Sequence, residues 1–186
     1  ADNLPLRGEK GMFTEGGIRV PLIAFWKGHL PEGRVSRRMV HAVDYYPTCL
    51  DVAGKEWSPP RDVHPLDGES FLGELFQPGS DDDRGPVCYL FPGYLDQRAQ
   101  PGAWVINEVG DNRFKASFDY EENAWSLFNL SEDIGEERNL AIKNKKVLVT
   151  LAKQLDAWLT QKGATWQPKY PIRKEDGRSA GKPPQP

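Results

Sequence analysis

The chain has 186 residues, of which 38% are hydrophobic and 27% charged, a composition typical of one globular domain or of part of a larger one. Its formal net charge of -3, with positive and negative residues interleaved, provides no broad basic surface, so we do not expect nucleic-acid binding. The longest apolar runs, such as Val20–Trp26, are too short to cross a bilayer, and we expect no membrane partner.

The first 17 residues are rich in glycine and charge and have no periodicity, which predicts a loop. Within this loop, Lys10 lies between Gly8 and Gly11. Glycines allow a tight backbone turn, and such a turn brings an ammonium group close to an oxyanion such as sulfate or phosphate. Taken alone, an exposed lysine in a glycine loop is more often a solvated charge.

Gly16 and Gly17 stand directly before the apolar run Val20–Trp26. Two glycines at this place predict a left-handed backbone or a close approach of two chain segments. Glu15 and Arg19 flank them as candidate ion-pair partners. The apolar run itself has the pattern of a strand that is buried on both faces of a sheet.

A helix is predicted to begin at Asp44, whose side chain can cap it, and to end at Gly54. Pro47 fits only in the first turn of that helix. Its predicted apolar face consists of Tyr46, Cys49, Leu50 and Ala53. A second, short helix is predicted over Ser70–Phe76.

The second half of the chain has short runs rich in β-formers and aromatics, separated by turn residues, which predicts a small antiparallel sheet. The runs are Val87–Phe91, Ala103–Val109, Arg113–Tyr120 and Ser126–Leu130. From Asn144 to Gln161, apolar residues recur at three- and four-residue steps and predict a helix that covers one face of this sheet and stops at Gly163.

The string Pro5-Leu-Arg-Gly-Glu-Lys-Gly11, followed after three residues by Glu15-Gly-Gly-Ile-Arg-Val-Pro21, resembles the lysine segment of the type I sulfatases. Glu9 stands where that family commonly has a glycine. Three later blocks are similar to family blocks and follow in the same order: Ala42–Gly54, Leu66–Leu72 and Leu127–Ala141, the last with Ile134 in place of a proline. Together they cover most of residues 3–163.

The resemblance implies an arylsulfatase-like enzyme that hydrolyses sulfate esters. In such enzymes a cysteine or serine in a Cys/Ser-x-Pro-x-Arg motif becomes the formylglycine nucleophile, a calcium ion holds the sulfate and lysines neutralise it. Lys10 would be one of these catalytic, sulfate-binding lysines. Tyr94, in a segment Phe91-Pro-Gly-Tyr94 that resembles the pocket rim, would contact the organic part of the substrate. Neither Cys49 nor Cys88 fits the nucleophile motif, and no serine does, so we expect this chain alone to be inactive.

The resemblance also implies the fold: an α/β chain that forms the carboxy-terminal part of a sulfatase (alkaline-phosphatase-like) domain, with a small antiparallel sheet packed on a carboxy-terminal helix. We predict the end of the catalytic domain over residues 1–80, an α+β subdomain over 81–163 and an extended tail over 164–186. Because a strand that is apolar on both faces needs neighbouring strands, we expect the amino-terminal part of the sulfatase as a partner.

Asp2 and Asn3 resemble a metal-binding pair of the family, but Leu4 replaces the glycine that follows it. Calcium needs six or more oxygen ligands, so we expect no metal ligand in this chain, and calcium in the complete enzyme to be held mostly by residues outside it. The histidines, His29, His41 and His64, do not match the catalytic histidines of the family and are predicted to have surface or structural roles.

We expect the other partner to be a sulfated small molecule or glycan, and the location to be periplasmic or extracellular, or lysosomal in a eukaryote. No export signal is visible at the amino terminus of the chain. Two other functions stay open. Phosphonate monoesterases and phosphodiesterases of the same superfamily have similar blocks, and a sulfatase end without catalytic residues would be a binding module for sulfated glycans or for another protein.

Overall fold

The computed structural model describes residues 3–55, 66–79, 84–95 and 99–164. The chain divides into two compact units: unit 1 consists of Ala1–Val20 and Pro86–Pro186, and unit 2 of Pro21–Gly85. The first twenty residues therefore belong to the same unit as the last helix. The predicted division into parts 1–80, 81–163 and 164–186 concerns a larger enzyme and stays a prediction. Asp2, His64 and the predicted tail beyond residue 164 lie outside the described residues.

Unit 1 is built on a four-stranded antiparallel sheet in which the strands follow each other in sequence order. The strands are β1 (Val87–Phe91), β2 (Gly102–Val109), β3 (Asn112–Asp119) and β4 (Ala124–Asn129). The predicted sheet is confirmed, with strand ends shifted by at most two residues. The turn between β2 and β3 has only two residues, and Gly110 takes the left-handed φ of 63° that such a turn requires.

The helices are α1 (Glu15–Ile18), α2 (Tyr45–Val52), α3 (Leu72–Phe76) and α4 (Lys145–Gln161), with a short 3-10 turn over Ala42–Asp44. Helix α4 packs on one face of the sheet, as predicted, and Gly163 ends it with a φ of 65°. Its buried residues are Leu148, Leu151, Ala152, Leu155 and Leu159. Each buried leucine contributes about 1.5–3 kcal/mol to folding, so this stripe is a main source of the unit's stability.

The amino-terminal segment, residues 3–20, covers the other face of the sheet. Phe13 packs in a tilted arrangement against Trp104, with ring centroids 4.3 Å apart, and against Phe91 at 4.9 Å. Successive residues of a strand point to opposite faces, so Trp104 lies opposite the core residues Ala103 and Val105. The segment is irregular, as predicted, except for the single turn of α1. The sheet is thus enclosed between α4 and the segment that contains Lys10.

The prediction of a strand at Val20–Trp26 is wrong for the described structure. The segment has no regular structure, and Ile23 and Phe25 are 89% and 79% exposed. A strand forms through hydrogen bonds to a neighbouring strand, and none of the described residues pairs with this segment. The apolar pattern is real, but the partner that would make it a strand is not in this part of the chain.

Unit 2 contains α2 and α3. As predicted, α2 has Pro47 in its first turn, and Gly54, with a φ of 62°, ends it. The predicted apolar face is wrong, because Tyr46 and Cys49 are exposed and the buried residue is Thr48. The Thr48 hydroxyl donates to the Asp44 carbonyl (2.7 Å) and accepts from the Phe71 N–H (3.1 Å), which fixes the orientation of α2 through a polar contact. The second predicted helix is confirmed as α3, two residues shorter at its start.

Among the described residues, no helix combines the length and apolar character that a membrane span needs.

Candidate functional site

Lys10 lies at the tip of a four-residue turn. The Glu9 carbonyl accepts a hydrogen bond from the Met12 N–H at 2.9 Å, so Lys10 and Gly11 are the two central residues. Gly11 has a φ of 92° and Gly8 a φ of 82°, and the positive φ at Gly11 is the one that the third position of a type II turn requires. The tight glycine turn is therefore confirmed, and it presents Lys10 as an exposed side chain.

The base of this turn is held by close backbone contacts. The Asn3 side-chain amide donates to the carbonyls of Gly8 and Gly16, both at 3.1 Å, and the Gly16 N–H donates to the Arg7 carbonyl at 2.7 Å. A Cβ on Gly16 would lie 2.3 Å from the Gly8 carbonyl oxygen, and one on Gly17 would lie 2.1 Å from that of Met12. The predicted close approach at the two glycines is confirmed. The Asn3 side chain stabilises the loop by joining its two ends.

Beside the turn lies a buried charge cluster that sequence reasoning missed. Lys115 in β3 places its Nζ 2.9 Å from Glu136 Oε1 and 3.3 Å from Glu15 Oε1, and all three residues are 2% exposed. Strand alternation in Phe114-Lys-Ala116 predicts an outward lysine on a solvated face. The signal that could have shown otherwise is non-local, because residues 3–20 cover that face.

Two arginines border the cluster. Arg19 Nε donates to Glu15 Oε2 at 2.8 Å, which confirms the predicted ion pair. The Arg7 Nη1 donates to the Glu136 carbonyl at 3.0 Å, and its guanidinium carbon lies 5.3 Å from the centre of the Phe128 ring. Both arginine side chains are partly exposed, so the charges that face solvent are positive and those they cover are carboxylates.

Tyr94, the predicted rim residue, is 37% exposed, and its hydroxyl donates to Glu121 Oε1 at 2.5 Å. It follows Phe91 by three residues, and Phe91 contacts Phe13, which follows Lys10 by three residues. The contact between Phe13 and Phe91 thus links the segments that carry the two predicted site residues.

In unit 2, Asp44 forms a buried ion pair with Arg84, in which Arg84 Nε is 2.9 Å from Oδ2 and Nη2 is 2.8 Å from Oδ1. Burial raises the pKa of Asp44, but the Arg84 guanidinium and the N–H groups of His41 and Glu69 outweigh it and hold that pKa below its usual value. The Asp44 carboxylate accepts from the His41 N–H at 2.7 Å and makes no side-chain cap on α2, so its predicted capping of α2 is wrong.

The two described histidines make structural contacts, as predicted. The His41 Nδ1 accepts from the Val43 N–H at 3.3 Å, and burial and the neighbouring Arg84 lower the pKa of His41, with Asp44 opposing them. His29 stacks on Trp26 with ring centroids 4.3 Å apart. Over the described ranges, no group of three or more His, Cys, Asp or Glu residues is arranged to hold a metal ion.

Comparison with known proteins finds sulfatases. Residues 8–164 match the family model described as N-sulphoglucosamine sulphohydrolase, C-terminal. The chain is 34% identical over 171 residues to a sulfatase of Formosa agariphila, covering 88% of this chain and 31% of that protein. It is 33% identical over 139 residues to N-acetylgalactosamine-6-sulfatase of Sus scrofa, covering 75% of this chain and 24% of that protein. The chain therefore spans about a third or less of the length of these relatives.

Solved structures give the same result for the fold. The structure of Ps i-CgsB in complex with k-i-k-neocarrahexaose matches with a TM-score of 0.66 and 27% identity, over 85% of this chain and 32% of that one. A putative sulfatase from Bacteroides thetaiotaomicron matches with a TM-score of 0.55 and 24% identity, over 75% of this chain and 29% of that one. In both cases the likeness extends to a minor part of a larger molecule.

Proposed function

Because this chain belongs to the sulfatase family, in the group described by the C-terminal region of N-sulphoglucosamine sulphohydrolase, we propose that it is the carboxy-terminal part of an enzyme that hydrolyses sulfate esters. The family and the fold class that the sequence predicted are confirmed: the chain has the carboxy-terminal part of the sulfatase, alkaline-phosphatase-like fold, with a small antiparallel sheet packed on α4. The activity itself is our proposal, since the chain spans only part of its relatives.

The observation that carries the proposal is the turn that presents Lys10. It has left-handed glycines on both sides of the lysine, and it is fixed to the sheet through Phe13. On this proposal, an ammonium group that a fixed turn presents binds a tetrahedral oxyanion and stabilises the negative charge that develops when a sulfate ester is cleaved. A lysine on a mobile loop would lose much of this benefit, because the loop would have to be ordered in each cycle.

The sequence lacks the nucleophile motif, and the part of the chain that the structure describes has no cluster of calcium ligands. No cysteine or serine in the 186 residues stands in a Cys/Ser-x-Pro-x-Arg motif, and the described residues contain no acidic or histidine cluster of the size a metal ion needs. We therefore assign the formylglycine, the calcium ligands and the catalytic histidine to the amino-terminal part of the enzyme. On this assignment the chain alone is inactive.

The amino-terminal part is also the proposed cover for an exposed apolar surface. Val20, Ile23 and Phe25 are 74%, 89% and 79% exposed. Neighbouring large apolar side chains with so much exposure are typical of a surface that another part of a protein covers. The pattern of Val20–Trp26 is that of an inner strand of a sheet. We propose that this segment becomes a strand of the catalytic sheet when the amino-terminal part is present.

A lysine substitution of Ile23 tests this cover. In the whole protein, Ile23→Lys should lower the melting temperature by several degrees, because it would place a charge inside the catalytic sheet. Ile142→Lys is the matched control, since Ile142 is 85% exposed in unit 1 and has no proposed partner. Equal and small effects of the two substitutions would contradict the proposed strand.

We propose a sulfated small molecule or glycan as substrate. The matching family model and one relative carry the names of sugar sulfatases, N-sulphoglucosamine sulphohydrolase and N-acetylgalactosamine-6-sulfatase. Ps i-CgsB is seen in complex with k-i-k-neocarrahexaose. Tyr94 would contact the organic part of such a substrate. A periplasmic or extracellular location, or a lysosomal one in a eukaryote, agrees with this substrate class.

The experiment that tests the function is a kinetic comparison of three forms of the whole protein. Lys10→Ala should lower kcat/KM for an aryl sulfate by about 10²- to 10³-fold, the usual loss when one fixed electrostatic group is removed. Lys153→Ala, on the solvent side of α4, is the control and should change kcat/KM by less than about twofold. Unchanged turnover in Lys10→Ala would remove the basis of the proposal.

The same preparation should be assayed with an aryl phosphonate. Sulfate and phosphonate esters are both tetrahedral anions, so an ammonium group alone does not distinguish them. We expect the aryl sulfate to have the higher kcat/KM. Equal or better turnover of the phosphonate would assign the enzyme to the phosphonate monoesterases and phosphodiesterases of the superfamily.

A further inference from the structure

Glu136 contacts both arms of the turn that carries Lys10. On one side its carboxylate Oε2 accepts from the Glu15 N–H at 2.8 Å, and on the other its backbone carbonyl accepts from the Arg7 side chain at 3.0 Å. Residues 7 and 15 enclose the tip residues 9–12. One glutamate from the loop after β4 therefore spans the base of the turn.

Lys115 fastens this glutamate to the sheet. Its ammonium group contacts Glu136 Oε1 at 2.9 Å, Glu15 Oε1 at 3.3 Å and the Phe13 carbonyl at 2.6 Å. An ammonium group has three N–H donors, so all three are used, and two of the acceptors lie in the arm that follows the tip. The side chain is 2% exposed, and the burial of so polar a group requires such complete pairing.

The loop that presents Glu136 is itself fixed. Glu136 has a left-handed φ of 55°, which is uncommon for a residue with a side chain. The Asp133 carboxylate holds this conformation by accepting from the N–H groups of Glu137 and Arg138 at 3.1 and 2.8 Å. Burial raises the pKa of Asp133, but these hydrogen bonds outweigh it and keep the pKa low, so the carboxylate stays ionised. The loop that presents Glu136 is thus held by hydrogen bonds of its own, in addition to those with the lysine turn.

We propose that Lys115 and Glu136 are positioning residues, which set the place of the Lys10 ammonium group through the base of its turn. This inference rests on the proposed function, because Lys115 and Glu136 act on the reaction only through Lys10. It gives the carboxy-terminal sheet a role in the enzyme, because Lys115 lies in β3. It also explains why a carboxylate from residues 127–141 and a glutamate from residues 15–19 share one cation in β3.

A double-mutant cycle in the whole protein separates positioning from general stability. Lys115→Met should lower kcat/KM for an aryl sulfate about 10- to 100-fold when Lys10 is present. When Lys10 is already alanine, the same change should cost less than about threefold, because a displaced turn matters only while it carries the ammonium group. The same loss in both backgrounds is what a structural role produces, and it would overturn the proposal.

Glu136→Gln provides a second arm that does not depend on the folding of Lys115→Met. The variant keeps the size of the side chain and removes its charge, and Glu137→Gln is the matched control, since Glu137 is exposed one residue away. We expect Glu136→Gln to raise KM and lower kcat, as Lys10→Ala does but to a smaller extent. Glu137→Gln should change neither. Equal effects of the two glutamine variants would overturn the proposal.

The cycle also distinguishes the two levels of inference. If Lys10→Ala leaves kcat/KM unchanged, both the proposed function and the positioning role are wrong. If Lys10→Ala is impaired and the effect of Lys115→Met is independent of it, only the positioning role is wrong.

Discussion

Arg84 and Asp44 form a two-point ion pair in which both carboxylate oxygens of Asp44 are engaged, at 2.9 and 2.8 Å. The carboxylate also accepts from the N–H groups of His41 and Glu69, at 2.7 and 3.1 Å. With 1% exposure of Asp44 and 8% of Arg84, the pair is shielded from water. It connects the start of α2 to the end of unit 2.

Removal of one partner should therefore be costly. Arg84→Ala leaves a buried carboxylate without its cation, and such a loss costs about 3–5 kcal/mol. We expect a lower melting temperature of the whole protein, measured by differential scanning calorimetry. Arg34→Ala serves as the control, because Arg34 is an exposed arginine of the same unit, so its removal should have a small effect. Equal shifts of the melting temperature in the two variants would contradict the proposed contribution of the Asp44–Arg84 ion pair to stability.

His41 gives unit 2 a dependence on pH. Burial and the neighbouring Arg84 lower the pKa of His41, and Asp44 only partly opposes them. The folded protein therefore binds this proton less readily than the unfolded chain, whose histidines have a pKa of about 6.5. The contribution of neutral His41 is complete above that pH and is lost as the pH falls below it.

The melting temperature of the wild-type protein should thus decrease from pH 7.5 to 5.5 by more than that of His41→Gln, which cannot titrate there. Asp44 does not contribute to this difference, because its lowered pKa places its own loss of stability below about pH 3.9. Parallel decreases in the two proteins over this range would show that another group is responsible.

The two glycines behind the lysine turn allow a sharp test of its geometry. Gly17→Ala would place a Cβ 2.1 Å from the Met12 carbonyl oxygen and 2.7 Å from that of Glu9. Backbone atoms cannot move as a flexible side chain does, so the turn must shift, at a cost of about 1–3 kcal/mol. Gly85→Ala is the control, since a Cβ there meets no atom within 4 Å.

We expect Gly17→Ala to lower both the melting temperature and kcat/KM for an aryl sulfate, and Gly85→Ala to lower neither. Normal kinetics in Gly17→Ala would mean that the Lys10 turn tolerates displacement, in conflict with its proposed role.

The parts of the fold that the sequence predicted well are those determined by neighbours in the chain. The hairpin of β2 and β3 is predicted by two runs of β-formers separated by turn residues, and α4 is predicted by its apolar stripe and by Gly163. The glycine turn around Lys10 could also be predicted from the sequence, because left-handed glycines and a four-residue turn are local features. Such elements can be predicted without knowing which residues pack on them.

The errors concern residues whose environment is set from a distance. Val20–Trp26 has the composition of an inner strand, but a strand also needs a partner. Lys115 was not identified because alternation places it on the outer face of β3, and only the return of residues 3–20 makes that face an interior. Thr48 is buried in α2 through contacts with residues 44 and 71, which no helical periodicity indicates.

Tyr94 has a polar hydroxyl and an apolar ring, and the two parts can be tested separately. The hydroxyl donates to Glu121 at the turn between β3 and β4, so Tyr94→Phe removes this contact and keeps the ring. If the ring contacts the organic part of the substrate, Tyr94→Phe should retain kcat/KM within about twofold. Tyr94→Ala should raise KM about 2- to 12-fold, the equivalent of one aromatic contact.

Inorganic sulfate supplies the internal control for Tyr94→Ala, since it carries the anion and lacks the organic group. Its inhibition constant should be unchanged in this variant and should rise in Lys10→Ala, because the ammonium group binds the anion itself. An equal weakening of sulfate and of the aryl sulfate in Tyr94→Ala would show that the ring supports the anion site, and the assignment of Tyr94 to the organic part of the substrate would be wrong.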